Sequence, residues 1–304
     1  MKEKVLITGS NGLLGQKLVT LFLKNQKYEV FALSREINRN SVIDGYVYYD
    51  VDATDFNRLN TVLAEVQPSV ILNAAAMTNV DECEEKRSEC HLINVALVAQ
   101  LVNWSAQNDA HLIHISTDFI FDGKKGPYKE DDVPNPLGYY GQTKLESEEL
   151  LIKSKIHHTI LRTILVYGIV DNMSRSNIVL WIKGAIESKK EVTIIDDQFR
   201  MPTLVDDLAH ACLLAVEKRA QGVFNVSSNT LLSIYEIAFE IAKVFDLDSS
   251  YIKRISTEQL NQRAKRPPIT GFILDKSVEK LGLPSYSFTE RLQVFKNQLL
   301  TADS

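Results

Sequence analysis

Hydrophobic positions along the chain gather into short continuous runs, and most of these runs are followed by apolar residues at helical spacing. Residues 4 to 8 read as a buried strand, after which Leu14, Leu18, Leu21 and Phe22 fall on one face of a helix. The alternation continues with strands near Glu29 to Leu33 and at Tyr46 to Asp50, a helix from about Asp55 to Val66, and an apolar strand Ser69 to Leu72. Thr78-Asn79-Val80-Asp81 opens a long helix to about Asn108 with Asn94 inside it, and Leu112 to Ile115 form the next strand. A helix over residues 139 to 154 precedes strands at Thr159 to Thr163 and Val223 to Val226. Such alternation predicts an α/β fold: a doubly wound parallel Rossmann sheet with a smaller α/β substrate-binding lobe.

In the last third the pattern loosens. A helix at Asn177 to Glu187, a short strand at Glu191 to Ile195 and a helix at Asp206 to Lys218 follow, with no internal repeat or flexible linker. The expected division is a dinucleotide-binding domain over 1–165, with a returning segment at about 203–230, and a substrate-binding lobe from 166–202 and 231–304.

Composition narrows the function more than the fold. With 34 basic against 39 acidic side chains, the formal charge of −5 gives no electrostatic reason to expect nucleic acid or an anionic membrane as partner. No apolar run reaches the ~18 residues a membrane helix needs. Cys83, Cys90 and Cys212 lack C-x-x-C spacing and are expected as small buried thiols in a reducing cytoplasm. The histidines show no H-E-x-x-H pattern and read as structural or surface groups, so no metal is expected.

Two stretches carry chemistry. Between the first strand and helix stands Gly9-Ser10-Asn11-Gly12-Leu13-Leu14-Gly15, a glycine triad spaced one residue wider than the usual dinucleotide fingerprint. Gly9 permits the tight turn, Gly12 lets a pyrophosphate approach the backbone, and Gly15 lets helix and strand pack closely. At the end of the second strand, Ser34-Arg35 suits a 2′-phosphate and points to NADP(H), while Glu36 beside it keeps NAD(H) open. Asp52 and Ala53 follow the third strand, and Ala74, Ala75 and Ala76 follow the fourth, where a flat cofactor could lie against the backbone.

The second stretch runs from Ser116-Thr117-Asp118 to the helix that starts near Tyr140. Tyr140 and Lys144 share a helix face, which would bring an ammonium near a phenol. A free phenol ionises near ~10, and a neighbouring Lys⁺ is expected to lower that value. Tyr140 would then protonate an alkoxide as hydride reaches a carbonyl, with Thr117 holding the carbonyl oxygen.

Taken in order and spacing, Gly9 to Gly15, Asn73-Ala74-Ala75-Ala76, Ser116-Thr117-Asp118 and Tyr140 to Lys144 resemble an extended short-chain dehydrogenase/reductase. Thr78 to Asp81, Ser116 to Gly123, Pro136 with Tyr140 to Leu145, Asp197-Gln198-Phe199 with Pro202-Thr203, and Arg266-Pro267 are closer to the dTDP-4-dehydrorhamnose reductase family. The resemblance implies Thr117, Tyr140 and Lys144 as catalytic trio. It also implies NADPH or NADH as hydride donor to C4 of a dTDP-linked 4-keto-6-deoxy sugar, giving dTDP-L-rhamnose. The cofactor would meet Gly9, Asn11, Gly12, Leu13, Leu14, Gly15, Ser34, Arg35, Asp52, Ala53, Ala74, Ala75 and Ala76, as well as Tyr140 and Lys144. Thr78, Val80, Asp118 and Ile120 would line the sugar pocket together with Thr117, and Arg266 would face the diphosphate. Leu165 stands where the family commonly has a tryptophan against the sugar, and Arg200-Met201 replace small residues before Pro202-Thr203. Those departures keep two alternatives open: a nucleotide-sugar epimerase or dehydratase that retains its NAD, and a non-catalytic NADP-binding regulatory subunit like that of methionine adenosyltransferase. A homodimer is possible.

Overall fold

The structure, a computed structural model, describes residues 2–173, 175–260 and 264–302. Its centre is a seven-stranded parallel sheet of β1 (Glu3–Thr8), β2 (Tyr28–Ser34), β3 (Tyr46–Asp50), β4 (Val70–Asn73), β5 (His111–Thr117), β6 (His158–Thr163) and the returning strand Gly222–Val226. The order is returning strand, β6, β5, β4, β1, β2, β3, so the connections run outward in both directions from β1. That reversal opens a crevice at the carboxyl ends of β1 and β4, where α/β sheets bind ligands.

Both sheet faces are buried. Val5 and Ile7 point into one core with Leu18, Phe22 and Leu208, while Leu6 points into the other with Leu59, Leu63 and Leu101. The helices supplying these stripes are α1 (Leu13–Leu23), α2 (Phe56–Val66) and, further on, Leu97–Asn108 and Val205–Glu217. β5 continues beyond its last pairing with β4, Asn73 with His114, and so carries Thr117 to the crevice edge.

One expectation needs correction. The stretch from residue 78 to 108 is not one helix but α3 (Val80–Glu85), α4 (Arg87–His91), a π-helical segment at Leu92–Ala96 and α5 (Leu97–Asn108). The cause lies in Asn94. Its side chain accepts from the Met77 backbone N–H at 2.9 Å and donates to the Met77 carbonyl at 3.1 Å, and it also donates to Thr143 Oγ1 at 3.2 Å. Periodicity alone cannot register such a wide turn, which often marks a functional site.

α6 (Tyr139–Ser154) forms over the expected residues. Beyond it lies a separate core in which Tyr167 packs edge-on against Phe288 and Phe295. Val179, Ile182, Ile194, Ile237 and Leu292 surround them, from α7 (Ile178–Glu187), a strand at Val192–Ile195, a helix at Ile234–Val244 and the final helix Phe288–Ala302. No helix among the described residues is long and apolar enough to cross a membrane.

Candidate functional site

The crevice is a cleft of about 900 Å³. Its floor begins at the glycine turn. A Cβ on Gly15 would sit 2.2 Å from the Gly9 carbonyl oxygen, so only glycine lets α1 start this close to the turn. Gly9 has φ +68°, and a Cβ there would meet Ala75 N at 2.7 Å. At Gly12 a Cβ would meet only the Gly9 oxygen, at 3.2 Å, and otherwise occupy the cleft. Gly12 is also the N-cap of α1, with no side-chain cap and no acidic residue in the first turn. The open amides and the helix dipole therefore face the cleft, a suitable cradle for a pyrophosphate.

Leu13, Leu14, Ala53, Ala74, Ala75 and Ala76 line the same cleft, as do Ser34, Arg35 and Asp52. Asn11 also lines it while bracing the loop after β2: its amide donates to the carbonyls of Arg35 and Ile37 at 2.9 and 3.0 Å and to Tyr48 Oη at 3.1 Å. Its side-chain oxygen accepts from Arg39 N–H at 3.0 Å. Arg39, absent from the sequence-based candidates, thus joins Arg35 at the cleft wall. Arg35 lies 3.8 Å from Asp52, and Arg39 pairs with Glu36 at 2.7 Å. Burial acts to raise the Asp52 carboxyl, but hydrogen bonds from Thr54 and the Arg35 charge outweigh it and hold the group below its ordinary value.

Across the cleft, α6 abuts the turn Asp118–Ile120. Gly141 makes the approach possible, because a Cβ there would lie 2.2 Å from the Phe119 carbonyl oxygen. Tyr140 consequently lies beside Thr117, whose hydroxyl acts on its phenol. Thr117, Tyr140 and Lys144 all line the cleft. The expected electrostatics are reversed, however. Burial pushes the Tyr140 phenol well above its ordinary value, the neighbouring Thr117 hydroxyl only partly opposes the rise, and Asp118 adds to it. Lys144 turns instead to His114, with Nζ 2.9 Å from Nε2, and burial lowers the ammonium to about 8. Desolvation opposes the charged form of both groups, and in this chain it exceeds their mutual effect.

A second cavity of about 250 Å³ adjoins the cleft and shares Asp118, Phe119, Leu165, Ile178 and Arg266 with it. Trp181, Ile195, Ile234 and Leu260 supply apolar walls. Asp118 accepts hydrogen bonds from Thr270 and Thr117 and lies 3.8 Å from Arg200 Nε, yet burial keeps its carboxyl above the usual range. Arg200, seen in the sequence only as a departure, is buried and binds the backbone carbonyls of Pro267 and Pro268 at 2.8 and 3.2 Å. It ties the loop carrying Arg266 to the pocket. Arg266 itself pairs with Asp81 at 2.6 Å.

Thr78 and Val80 line the cleft. Ile120 does not belong with them: its side chain is buried in a cluster with Phe121, Tyr128, Ile164 and Phe272, and Phe119 faces the pocket in its place. A 3₁₀ turn rotates neighbouring side chains far apart, so naming the right residue within it needs the backbone. Leu165 sits where the cavities meet and has φ +44°, an uncommon conformation for a non-glycine residue that costs roughly 1–3 kcal/mol. Among the described residues no group of His, Cys, Asp and Glu is arranged to hold a metal ion.

This combination of sheet reversal, uncapped helix start and buried hydroxyl pair places the chain among the extended short-chain dehydrogenase/reductases, a class of oxidoreductases. Within that class it belongs to the RmlD substrate binding domain family, which matches residues 2–301. The chain is 33% identical over 270 residues to methionine adenosyltransferase 2 subunit beta of Bos taurus, covering 87% of this chain and 78% of that one. To the dTDP-4-dehydrorhamnose reductase of Aggregatibacter actinomycetemcomitans it is 30% identical over 293 residues, 92% and 94% of the two chains. Two solved dTDP-4-dehydrorhamnose reductases superpose with a TM-score of 0.85: that of Clostridium acetobutylicum (29% identity, 98% and 99% coverage) and that of Bacillus anthracis in complex with NADP (26%, 98% and 100%).

Proposed function

We propose that the chain reduces the C4 keto group of a nucleotide-linked 4-keto-6-deoxy sugar with NADPH, as a dTDP-4-dehydrorhamnose reductase giving dTDP-L-rhamnose. The observation that carries this reading is that Thr117, Tyr140 and Lys144 all line the large cleft, next to Asp118 and Phe119 where the second cavity opens from it. Gly9 to Gly15 and Ala74 to Ala76 would hold the dinucleotide, with Arg35 and Arg39 available to a 2′-phosphate and NADH as the weaker alternative. It supplies the hydride.

The chain's own residues do the rest. Thr117 donates its hydroxyl hydrogen bond to the carbonyl oxygen where negative charge develops. Tyr140, kept protonated by burial, delivers its proton to that oxygen as the alcohol forms. Lys144 as an ammonium stabilises the phenolate left behind. Phe119 and Leu165 wall the junction, and Arg266 offers a charge to the diphosphate. In domain terms, 1–165 with 203–230 holds the dinucleotide, and 166–202 with 231–304 holds the sugar nucleotide.

NADPH carrying deuterium at the transferable position tests the reaction directly. Deuterium at C4 of the product sugar, read by mass spectrometry, is the expected result. Turnover without deuterium transfer would indicate an epimerase that recycles its own cofactor. The relationship to methionine adenosyltransferase 2 subunit beta motivates a second reading, a regulatory subunit. NADPH binding without turnover, and a stable complex with a separate enzyme, would favour it.

A further inference from the structure

Lys144 is buried, and among the described residues the one side chain hydrogen-bonded to its Nζ is the imidazole of His114, at 2.9 Å. The charged groups that act on Lys144 are otherwise engaged. Glu148, on its own helix, is held by Arg162 at 3.0 and 2.7 Å, and Cys90, from α4, accepts from Asn94 at 3.3 Å. Tyr140 lines the cleft beside Thr117. His114 is itself buried and faces no charge but Lys144, and burial holds its imidazole neutral, well below its ordinary value.

A neutral imidazole has one bare nitrogen and one N–H. An ammonium can only donate, so Lys144 in its charged form requires Nε2 to be bare and the ring proton to sit on Nδ1. Nδ1 lies 3.2 Å from the Asn73 amide, and the other end of that amide lies 2.7 Å from Thr8 Oγ1. A hydroxyl both donates and accepts, so Thr8 satisfies Asn73 in either orientation of the amide. Two complete arrangements follow. In one, the Lys144 ammonium donates to Nε2, Nδ1–H donates to the Asn73 oxygen, and the Asn73 nitrogen donates to Thr8. In the other, Nε2–H donates to a neutral Lys144 amine, the Asn73 nitrogen donates to Nδ1, and Thr8 donates to the Asn73 oxygen. Ser147 lies 3.1 Å from Nε2: in the second arrangement its oxygen accepts from Nε2–H while its proton goes to the Lys144 carbonyl at 2.7 Å, and in the first its hydroxyl turns to donate to the bare Nε2.

We propose that His114 is a positioning residue for Lys144: its ring proton moves between Nε2 and Nδ1 so that the buried lysine keeps the same partner whether charged or neutral. The inference deepens the reductase reading, in which Lys144 must be an ammonium when Tyr140 has given up its proton. Thr8, Asn73, Ser147 and His114 are all buried, so the chain ends without reaching solvent. It is a clamp with two settings: the ring carries one proton in each, and the one proton lost as the ammonium becomes an amine goes to solvent in the cleft that Lys144 lines.

Nitrogen chemical shifts separate the two histidine tautomers. The test follows ¹⁵N-histidine and ¹³Cε-lysine spectra of the wild type and of Lys144→Met from about pH 6 to about pH 10, a window spanning ordinary His and Lys values. His114→Gln supplies the assignment. The wild type should carry its ring proton on Nδ1 at the acid end and on Nε2 at the alkaline end, with the midpoint of Lys144. In Lys144→Met the ring should hold one tautomer throughout. A fixed tautomer in the wild type, or an unchanged transition in Lys144→Met, overturns the proposal.

The second arm uses turnover. His114→Leu removes the acceptor and should move the alkaline limb of the NADPH-oxidation profile about one unit toward acid, a ~10-fold loss of the ammonium at fixed pH above its midpoint. His114→Gln, which keeps an acceptor, should restore the limb. Uniform loss with an unmoved limb contradicts the proposal. A wild type without turnover counts against the reductase reading alone, because the tautomer measurement needs no substrate.

Discussion

Tyr140 and Lys144 are buried together, and desolvation drives them in opposite directions: the phenol holds its proton more tightly and the ammonium less so. A reduction at neutral pH uses a protonated phenol and a charged lysine. With Lys144 at about 8, turnover should fall as pH rises through that value, since the charged form is lost on the alkaline side. A pH profile flat to well above it would remove the requirement for the ammonium. At the far end of the cleft, Arg35→Ala should weaken NADPH by ~10–100-fold and leave NADH nearly unchanged, since a hydrogen bond to a charged group contributes about 1.5–3 kcal/mol. Equal loss for both cofactors, measured by titration, would place the 2′-phosphate elsewhere. The catalytic candidates were legible because their spacing fits one helix face and one strand end. His114 was not, because one of two histidines in the apolar strand β5 shows its importance only when helix and sheet are docked. Arg200 was seen merely as an oddity, since its partners at Pro267 and Pro268 arrive from a distant loop.

At the level of elements, two glycines set how closely helices approach the site. Gly15→Ala would force a Cβ to 2.2 Å from the Gly9 oxygen and 2.6 Å from Ser10 Cα, so α1 must shift. A stability loss of roughly 1–3 kcal/mol, with weaker dinucleotide binding, is expected in thermal melts run with and without NADPH. An unaffected melt would mean that the turn relaxes freely. α6 is anchored to β6 by the buried Arg162–Glu148 pair at 2.7 Å. Arg162→Met leaves the carboxylate buried and unpaired, a change that typically costs ~3–5 kcal/mol; urea unfolding reads it, and a loss below about 1 kcal/mol would contradict the pair's isolation from water. Strand and helix order were legible throughout the parallel sheet because the apolar runs are long and well punctuated. The break in the expected 78–108 helix was not, because Asn94 takes its partners from Met77 and Thr143, outside that helix's own periodicity.

Over the whole molecule, two packed cores meet along the cleft, one around the sheet and one around Tyr167. The sheet was readable from the sequence, as was the strand Val192–Ile195 of the second core, whereas the two-residue strands Thr203–Leu204 and Leu232–Ser233 are too brief to carry a period. Several tyrosines are buried, and burial raises Tyr28 and Tyr49 to about 12 and Tyr140 and Tyr167 further. Their unfolded counterparts ionise near ~10. Folded phenols thus keep protons that unfolded ones lose, so the stability they contribute is present below that value and is lost as pH climbs through the folded ones. Ionisation of these four, read as the absorbance lost in their Tyr→Phe variants, should come late and together with loss of helical signal; their early ionisation in the folded state would contradict the burial. The central claim is that Tyr140 is the proton donor of a keto-sugar reduction. Its most direct test is NADPH oxidation by wild type and Tyr140→Phe with a dTDP-4-keto-6-deoxy sugar, alongside NADPH binding to both. The account predicts turnover lower by ~10²–10⁴-fold in the variant with binding unchanged, whereas equal turnover in the two proteins would contradict it.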